Sequence, residues 1–432
     1  MDGEPAAAGV EAADESARSR RQLWTPPARP DWVRRVNAEG ACLDMAAVVP
    51  LDEASLLSAA IERTGLSDFG DDAWREPFRV FIKALDEEAD LNFMGRVMTR
   101  SDLIMFLEAR LRIEDQYRRH PEIEDEVVVR PLWIVGQGRT GTSILQTLLG
   151  LDPANRSLST WEAIFPVPPG DGRPDDRRAV ADARQRQWSR VAPEIDAVHH
   201  FAADTPAETI MIEALSFCGP AWLNLLGMVP SFNKHVAPLG AGPALRYARR
   251  VLKFLQWRRP GRRWVLKSPD SMQYVPDVLD VFPDACLVWP HRDPVRALSS
   301  AVNLMGTLSW IRSDRLMPPG VFETITDPAA TGANLARSID WISAGRIPAE
   351  QLCNIHYRDL VSDPAAAIER IYAFFGLPFD ADLRAAIAVH LRDQPREARP
   401  EHRYSLGDRE RIARERPFFK RYQDFFKVES EV

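Results

Sequence analysis

The spacing of apolar and polar positions changes near residue 130 of the chain. Before that point the apolar residues recur with a helical period, which predicts helices that open near Asp52, span Asp72–Leu85 and begin at Ser101. After it, helical stretches alternate with short apolar runs, which predict strands at Leu132–Val135, Trp264–Lys267, Ala285–Trp289 and Leu352–Tyr357. This alternation indicates an α/β fold, a mostly parallel sheet flanked by helices, with an N-terminal helical extension.

The same pattern divides the chain into three parts. Residues 1–23 are rich in Ala, Glu, Ser and Arg and lack a long apolar run, which predicts a disordered tail rather than a secretion signal. Residues 24–130 form the helical region, and residues 131–427 form the α/β domain. No apolar run reaches the length of a membrane span, so we expect no integral membrane segment and regard any lipid as a substrate.

A glycine-punctuated turn follows the first predicted strand and leads into a predicted helix. Gly136–Ser143 has the spacing of a phosphate-binding loop, so the sheet is of the P-loop type, but Thr142 stands where that motif has its lysine. The strong cation of the loop is Arg139, whose planar fork suits tetrahedral oxyanions. We therefore predict a loop for one phosphate that carries a less charged terminal group, such as a phosphosulfate. The alternative is a structural turn that only packs a helix on a strand.

Two further cations follow predicted strands. Lys267 ends one strand, and Arg292 follows another, with Ser300 on the helix behind it. Ligands of open parallel sheets bind beyond the carboxyl ends of the strands, so we expect these side chains to face what Arg139 holds. A lysine at a strand end is also commonly just exposed to solvent.

Candidates for a general base are an acid and a histidine pair. Glu162 lies between Trp161 and Phe165, and burial there would raise its pKa, as a base for an alcohol requires. A surface acid at a strand end is the alternative. His199 and His200 are a second candidate, although such a pair often comprises one hydrogen-bonded core histidine and one exposed one.

Charge and cysteine content restrict the kinds of ligand that the protein is expected to bind and its expected cellular compartment. The net charge of −7 argues against a nucleic-acid-binding surface, so an anionic ligand needs a local basic pocket. The four cysteines are widely separated and lack metal-binding spacing, which predicts reduced thiols in a cytoplasmic protein. They are Cys42, Cys218, Cys286 and Cys353.

Three motifs in this order resemble the sulfotransferase superfamily in its bacterial, actinobacterial-looking branch. They are the loop Gly136–Ser143, the strand end with Lys267, and Arg292-Asp293-Pro294 followed by Ser300 after an eight-residue step. The resemblance runs from about Pro131 to Phe426. It implies transfer of a sulfonate group from 3′-phosphoadenosine 5′-phosphosulfate (PAPS) to a hydroxyl or amine of a small-molecule, lipid or glycan acceptor.

The resemblance also implies roles for individual residues. Arg292 and Ser300 resemble the pair that binds the 3′-phosphate, and Lys267 resembles the lysine on the bridging oxygen. Together with Arg139 it would stabilise the transferred charge without a metal. The residues that resemble the 5′-phosphosulfate site are Gly136, Gly138, Arg139, Thr140, Gly141, Thr142 and Ser143.

Two positions depart from the family pattern. Gly138 stands where a proline often precedes the loop arginine, which predicts a more flexible loop. Pro269 stands where the phenol- and steroid-type enzymes have their catalytic histidine. Glu162 resembles in placement the glutamate of the tyrosylprotein branch, so we prefer it as the base, with His199, His200 and Glu208 as further candidates.

The acceptor is not specified by these motifs. Aromatic side chains offer either an apolar acceptor pocket or plain core, and Thr209–Met228 reads as a buried helix or a wall of that pocket. Residues 304–332 are either a lid or a surface loop. The aromatic candidates are Trp161, Phe217, Trp222 and Trp310.

Two other functions remain as alternatives at this point. A P-loop kinase or NTPase would need Mg²⁺ and a loop lysine, and Thr142 occupies that lysine's position. A non-catalytic nucleotide-binding protein would retain the loop only as architecture. The oligomeric state is open, and the helical region offers a surface for a homodimer.

Overall fold

The computed structural model describes residues 24–170, 172, 174–198, 202–259, 261–315, 327–394 and 404–432. Within them lies a five-stranded, all-parallel sheet with the strand order β2-β3-β1-β4-β5. The α/β fold with a parallel sheet is thereby confirmed. The strands are β1 Leu132–Ile134, β2 Asn155–Ser157, β3 Arg263–Lys267, β4 Cys286–His291 and β5 Leu352–His356.

Helices precede the sheet and then alternate with its strands. Those before it are Asp31–Gly40, Met45–Val48, Glu53–Thr64, Arg75–Glu87 and Phe93–Arg119. Those after β1 are Thr142–Leu149, Thr160–Ile164, Arg177–Val191, Ile195–Val198, Ile210–Glu213, Pro220–Leu223, Pro230–Val236, Gly242–Arg258, Val275–Val281, Pro294–Arg312, Pro328–Ser343, Tyr357–Ser362, Pro364–Phe374, Ala381–Asp393 and Arg409–Phe426. Short 3₁₀ turns lie at Pro121–Asp125, Ala214–Ser216, Ala237–Leu239, Pro269–Gln273 and Ala349–Gln351.

Successive residues of β1 pack on opposite faces of the sheet, as the pleat requires. Trp133 joins the larger apolar cluster, which also contains Phe78 and Phe106 from the N-terminal helices. Leu132 and Ile134 join a second cluster on the other face. The N-terminal helices thus share their core with one face of the sheet. The domain boundary near residue 130 stays a prediction.

Two helix predictions differ from the structure. Ser101 does not begin a helix but lies inside Phe93–Arg119, which Asn92 caps by accepting a hydrogen bond from the Gly95 amide. The buried helix, one of the two interpretations of 209–228, is interrupted. Phe217 has a left-handed φ of 55°, and Pro220 begins a new short helix. Proline lacks the N–H that a helix interior needs, so Pro220 can begin a new helix but cannot continue the earlier one.

Strand β2 was not predicted, because Asn155–Ser157 is polar and only three residues long. It pairs with β3 at the edge of the sheet. Of the segment 304–332, the part up to residue 312 belongs to the helix Pro294–Arg312, and residues 316–326 lie outside the described ones. The tail 1–23, His199 and His200 also lie outside them. Among the helices that the structure describes, none is long and apolar enough to cross a membrane.

Candidate active site

The loop after β1 is shaped by two glycines with left-handed backbone. At Gly136, with a φ of 104°, a Cβ atom would lie 2.8 Å from the Trp289 ring. At Gly141, with a φ of 95°, it would lie 2.8 Å from Cδ2 of Leu360. Side chains are therefore excluded at both positions on conformational and steric grounds. At Gly138 the nearest such neighbour is Cβ of Pro269 at 3.9 Å, so that position has room.

The helix Thr142–Leu149 starts immediately after this turn, and no side chain caps its N-terminus. The buried Thr140 hydroxyl donates to the Gln137 carbonyl at 2.7 Å and so braces the turn instead. Thr142, also buried, is the first residue of the helix. The first amides of this helix and the positive end of its dipole therefore face the loop, an arrangement that suits an anion.

Arg139 occupies the middle of the loop in a strained conformation. Its φ of 71° is uncommon for a residue with a side chain, and such strain concentrates at functional sites. Its Nε donates to the Ser300 hydroxyl at 2.9 Å. Burial is the main cause that lowers the pKa of Arg139 from its ordinary value, and the nearby Arg292 acts in the same direction.

Lys267 is the last residue of β3 and is only 2% exposed. Its ammonium donates to the Ser143 hydroxyl at 3.1 Å, which joins β3 to the loop. It also pairs with Oε1 of Glu208 at 2.9 Å. The lysine is thus held at the carboxyl edge of the sheet between the loop and a carboxylate.

Arg292 follows β4 and completes the set of cations at the edge. One of its terminal nitrogens donates to the Arg139 carbonyl at 3.1 Å, and its guanidinium lies over the Tyr357 ring at 4.1 Å. Its other edge meets the carboxylate of Glu431. The structure therefore brings the three sequence motifs together through contacts of Lys267 with the loop and of Arg139 with Ser300 and Arg292.

Glu162 makes a different set of contacts. It lies in the first turn of the helix Thr160–Ile164, where Oε2 accepts the Ser159 amide in a capping box. Its Oε1 accepts from Arg156 of β2 at 2.6 Å, and both side chains are buried. Neither oxygen contacts Lys267 or the loop within the described part of the chain. Its role as the base stays a prediction, and the sequence carried no signal that Arg156 would hold it.

A second group of acids lies around Glu208, the partner of Lys267. Glu208 is joined by Glu213, whose pKa is raised to about 7 by burial, and by Asp270, whose pKa is raised to about 6 mainly by burial. Tyr274 donates to Glu213 at 3.4 Å. Sequence analysis missed Glu213 and Asp270, since only their tertiary surroundings distinguish the buried Glu213 and the partly buried Asp270 from surface acids.

Comparison with known proteins agrees with this arrangement. A model of the sulfotransferase family matches residues 131–381, more than half of the chain. The chain belongs to the sulfotransferase family. It is 24% identical over 263 residues to the omega-hydroxy-beta-dihydromenaquinone-9 sulfotransferase Stf3 of Mycobacterium bovis, and equally to that of Mycobacterium tuberculosis. The match covers 57% of this chain and 63% of the length of those curated relatives.

Two solved sulfotransferase structures share the fold over nearly all of their length. STF9 of Mycobacterium avium superposes with a TM-score of 0.76 and 27% identity, covering 88% of this chain and 97% of that one. STF1 of Mycobacterium tuberculosis H37Rv gives a TM-score of 0.69 and 26% identity, covering 87% and 98%. The helical region before residue 131 therefore falls largely within the similarity to these two sulfotransferases.

A narrow cleft with a volume of about 30 Å³ lies between the N-terminal helices and the sulfotransferase part, and both apolar and polar side chains line it. Ile164, from the helix of Glu162, and Met211, three residues after Glu208, both line it. Trp222 lines it as well and stacks on Trp188. The other aromatic candidates lie elsewhere: Phe217 packs in the core against Trp74 and Phe78, Trp310 lies under Arg29, and Trp161 lies under Arg177.

Among the described residues, no group of three or more His, Cys, Asp or Glu side chains is arranged to hold a metal ion. The expectation of metal-free chemistry stays a prediction, to be tested by binding with and without Mg²⁺.

Proposed function

We propose that the protein transfers a sulfonate group from PAPS to a hydroxyl of an acceptor. The observation that carries this proposal is the meeting of the loop, Lys267, Arg292 and Ser300 at one edge of the sheet, in a chain of the sulfotransferase family. Adjacent strands in the order β3-β1-β4 supply these groups from three distant parts of the sequence. A merely structural turn would not require cations from both neighbouring strands.

The donor site is assigned from these contacts and from the family pattern. The uncapped helix and loop residues 136–143 are proposed to hold the 5′-phosphosulfate, with Arg139 as the cation of the loop. Arg292 and Ser300 are proposed to hold the 3′-phosphate. Lys267 is proposed to contact the bridging oxygen, and its burial and its hydrogen bond to Ser143 of the loop support this.

In the proposed chemical step the sulfonate group passes directly from the donor to the acceptor, without a covalent intermediate on the enzyme. The acceptor oxygen forms a bond to sulfur while the bond from sulfur to the bridging oxygen breaks, and the leaving adenosine 3′,5′-bisphosphate takes the negative charge. Lys267 and Arg139 stabilise that charge. A carboxylate removes the acceptor proton.

Two carboxylates compete for the role of the base. Glu208 contacts Lys267 at 2.9 Å and keeps part of its side chain exposed, so it lies beside the reacting groups and within reach of an acceptor. Glu162 is buried in an ion pair with Arg156 and would have to leave it. The contacts therefore favour Glu208, with Glu162 as the alternative.

Glu208→Gln and Glu162→Gln, measured side by side, decide between them. Loss of the base lowers turnover by about a hundredfold or more while binding of the donor persists. If Glu162→Gln loses turnover as a folded protein that binds donor, and Glu208→Gln retains it, Glu162 is the base. Near-normal turnover in both variants would return the role to His199 or His200.

We propose a lipophilic alcohol as the acceptor. The quinone-lipid substrate in the name of the relative Stf3 supports this. The narrow cleft beside the helix of Glu162 would have to widen to admit such an acceptor. Methionine and aromatic side chains such as Met98, Met105 and Trp222 line the cleft and adapt to a flexible apolar chain. Mass spectrometry of sulfonated products from hydroxylated isoprenoid quinones and simple phenols tests it, because preference for the short phenols would contradict the proposal.

A cytoplasmic location is proposed from the cysteines, which are all free thiols.

Calorimetric titration tests the donor site directly. The full chain is titrated with adenosine 3′,5′-bisphosphate and, separately, with ATP in the presence and absence of Mg²⁺. We expect metal-independent binding of the bisphosphate that is lost in Arg292→Ala. Preference for ATP with Mg²⁺ would favour a kinase or NTPase, and binding of neither would favour a non-catalytic protein.

A further inference from the structure

The carboxylate of Glu431 lies between two arginines at the edge of the proposed donor site. Its Oε1 accepts from Nε of Arg292 at 2.9 Å, and its Oε2 accepts from a terminal nitrogen of the same residue at 3.0 Å. Oε2 also contacts Nε of Arg296 at 3.1 Å. Arg296 lies four residues after Arg292, in the first turn of the helix that carries Ser300. Two guanidinium groups thus converge on one oxyanion.

The guanidinium of Arg292 is held so that the edge facing Glu431 can bind an anion. Its side chain is 12% exposed, held from behind by the Tyr357 ring and by the Arg139 carbonyl. Burial alone would lower the pKa of Arg292, but the Glu431 carboxylate and Tyr357 outweigh it and the pKa is raised. The free edge of this guanidinium therefore needs an anionic partner, which Glu431 supplies.

Glu431 belongs to a short segment that returns from the last helix, residues 427–432, here called the C-terminal strap. Lys427, with a left-handed φ of 56°, ends the helix Arg409–Phe426 and turns the chain back. The Glu431 amide donates to Asp293 at 2.8 Å, and Arg416 donates both to Asp293 and to the Val432 carbonyl at 2.6 Å. Val428 is buried in the larger apolar cluster and anchors the start of the strap. Residues 429–432 are held chiefly by a few polar contacts, the class of segment that opens at low free-energy cost.

We propose that Glu431 occupies the position of the donor's 3′-phosphate, that Arg296 is a second arginine for that phosphate, and that donor binding displaces the C-terminal strap. This rests on the proposed function, because the competing anion is the 3′-phosphate of that donor. A carboxylate and a phosphate accept the same forked donors, and two anions cannot share them without strong repulsion. Apparent affinity is then reduced by the fraction of molecules in which the strap is closed.

Titration of the full chain with adenosine 3′,5′-bisphosphate provides the test. Glu431→Gln removes the competing charge and should tighten binding about fivefold, the value of an ion pair of this exposure. Arg296→Gln should weaken binding by a similar factor. Glu369→Gln is the matched control, since Glu369 forms an exposed ion pair with Arg384 away from the strap, and its affinity should equal that of the parent protein.

Adenosine 5′-monophosphate, which lacks the 3′-phosphate, separates the site from general charge effects. Its affinity should be the same in the parent protein and in Glu431→Gln, and an equal gain for both nucleotides would contradict the assignment. Hydrogen exchange of the unaltered protein needs no variant. The Glu431 amide should exchange faster once the bisphosphate is bound, because its bond to Asp293 is lost.

The outcomes separate this inference from the function on which it rests. If the parent protein binds the bisphosphate but Glu431→Gln binds no more tightly and the strap exchanges at an unchanged rate, the strap is only a structural terminus and the inference is wrong. If neither the parent protein nor any variant binds the bisphosphate, the proposed function itself fails.

Discussion

The Glu162–Arg156 pair allows a quantitative test of how burial sets the strength of an ion pair. Oε1 of Glu162 and a terminal nitrogen of Arg156 are 2.6 Å apart, with side chains 5% and 9% exposed. Glu369 and Arg384 are also 2.6 Å apart, but their side chains are 49% and 50% exposed. The two pairs share their chemistry and distance and differ chiefly in burial, although Glu162 also accepts the Ser159 amide and lies 3.8 Å from Arg259.

Glu162→Gln should lower the free energy of unfolding by about 3 kcal/mol, because it leaves the charge of Arg156 buried without its counter-ion. The glutamine amide can still accept hydrogen bonds, which places the loss near the lower end for a broken buried pair. Glu369→Gln should cost about 0.5 kcal/mol or less, since water already screens its partner. The same change thus differs several-fold in effect between the two sites.

Urea unfolding followed by tryptophan fluorescence measures both variants, and a double variant completes the cycle. Arg156→Met combined with Glu162→Gln leaves no unpaired charge, so it should recover much of the loss, with a coupling free energy of about 2 kcal/mol. Equal destabilisation by Glu162→Gln and Glu369→Gln, within about 0.5 kcal/mol, would refute the reasoning. The same measurement helps to interpret the turnover of Glu162→Gln. A variant that loses both stability and turnover has lost a structural ion pair, whereas one that loses turnover alone has lost a base.

Further expectations concern the loop, the lysine and a buried acid. Lys267→Met should lower turnover about a hundredfold or more, with binding of adenosine 3′,5′-bisphosphate largely retained, as steady-state kinetics and calorimetry would show. Gly136→Ala should abolish bisphosphate binding because its Cβ would overlap the Trp289 ring. Gly138→Ala, where there is room, should bind the bisphosphate within about twofold of the parent protein. Equal affinities of the two variants would contradict the loop geometry. The raised pKa of Glu213, about 7 against an ordinary value of 4.5, means that the folded protein holds a proton that the unfolded chain releases, so stability should fall as pH rises from 4.5 to about 7. Urea midpoints across this range should show a shallower fall in Glu213→Gln, and an unchanged slope would assign the pH dependence to other groups.

Much of the fold was predictable because it depends on local patterns. The strand, turn and helix around Gly136–Ser143 follow from apolar runs and glycine spacing, and the parallel sheet follows from the alternation of strands and helices. The short polar strand Asn155–Ser157 escaped prediction because it has neither length nor an apolar pattern. The helix break at Phe217 escaped because a left-handed φ in a residue with a side chain is imposed by its packing.

The sequence by itself determined the loop and the cations at the strand ends, since each depends on residues close together in the chain, and it determined the family through the order of these motifs. Only the tertiary structure decided which charges meet. Glu162 is held by Arg156, Lys267 is held by Glu208, and Glu431 reaches Arg292 across 139 positions of sequence. Partner choice for a charged side chain depends on burial and on distances in space, and neither is recorded in the order of residues along the chain.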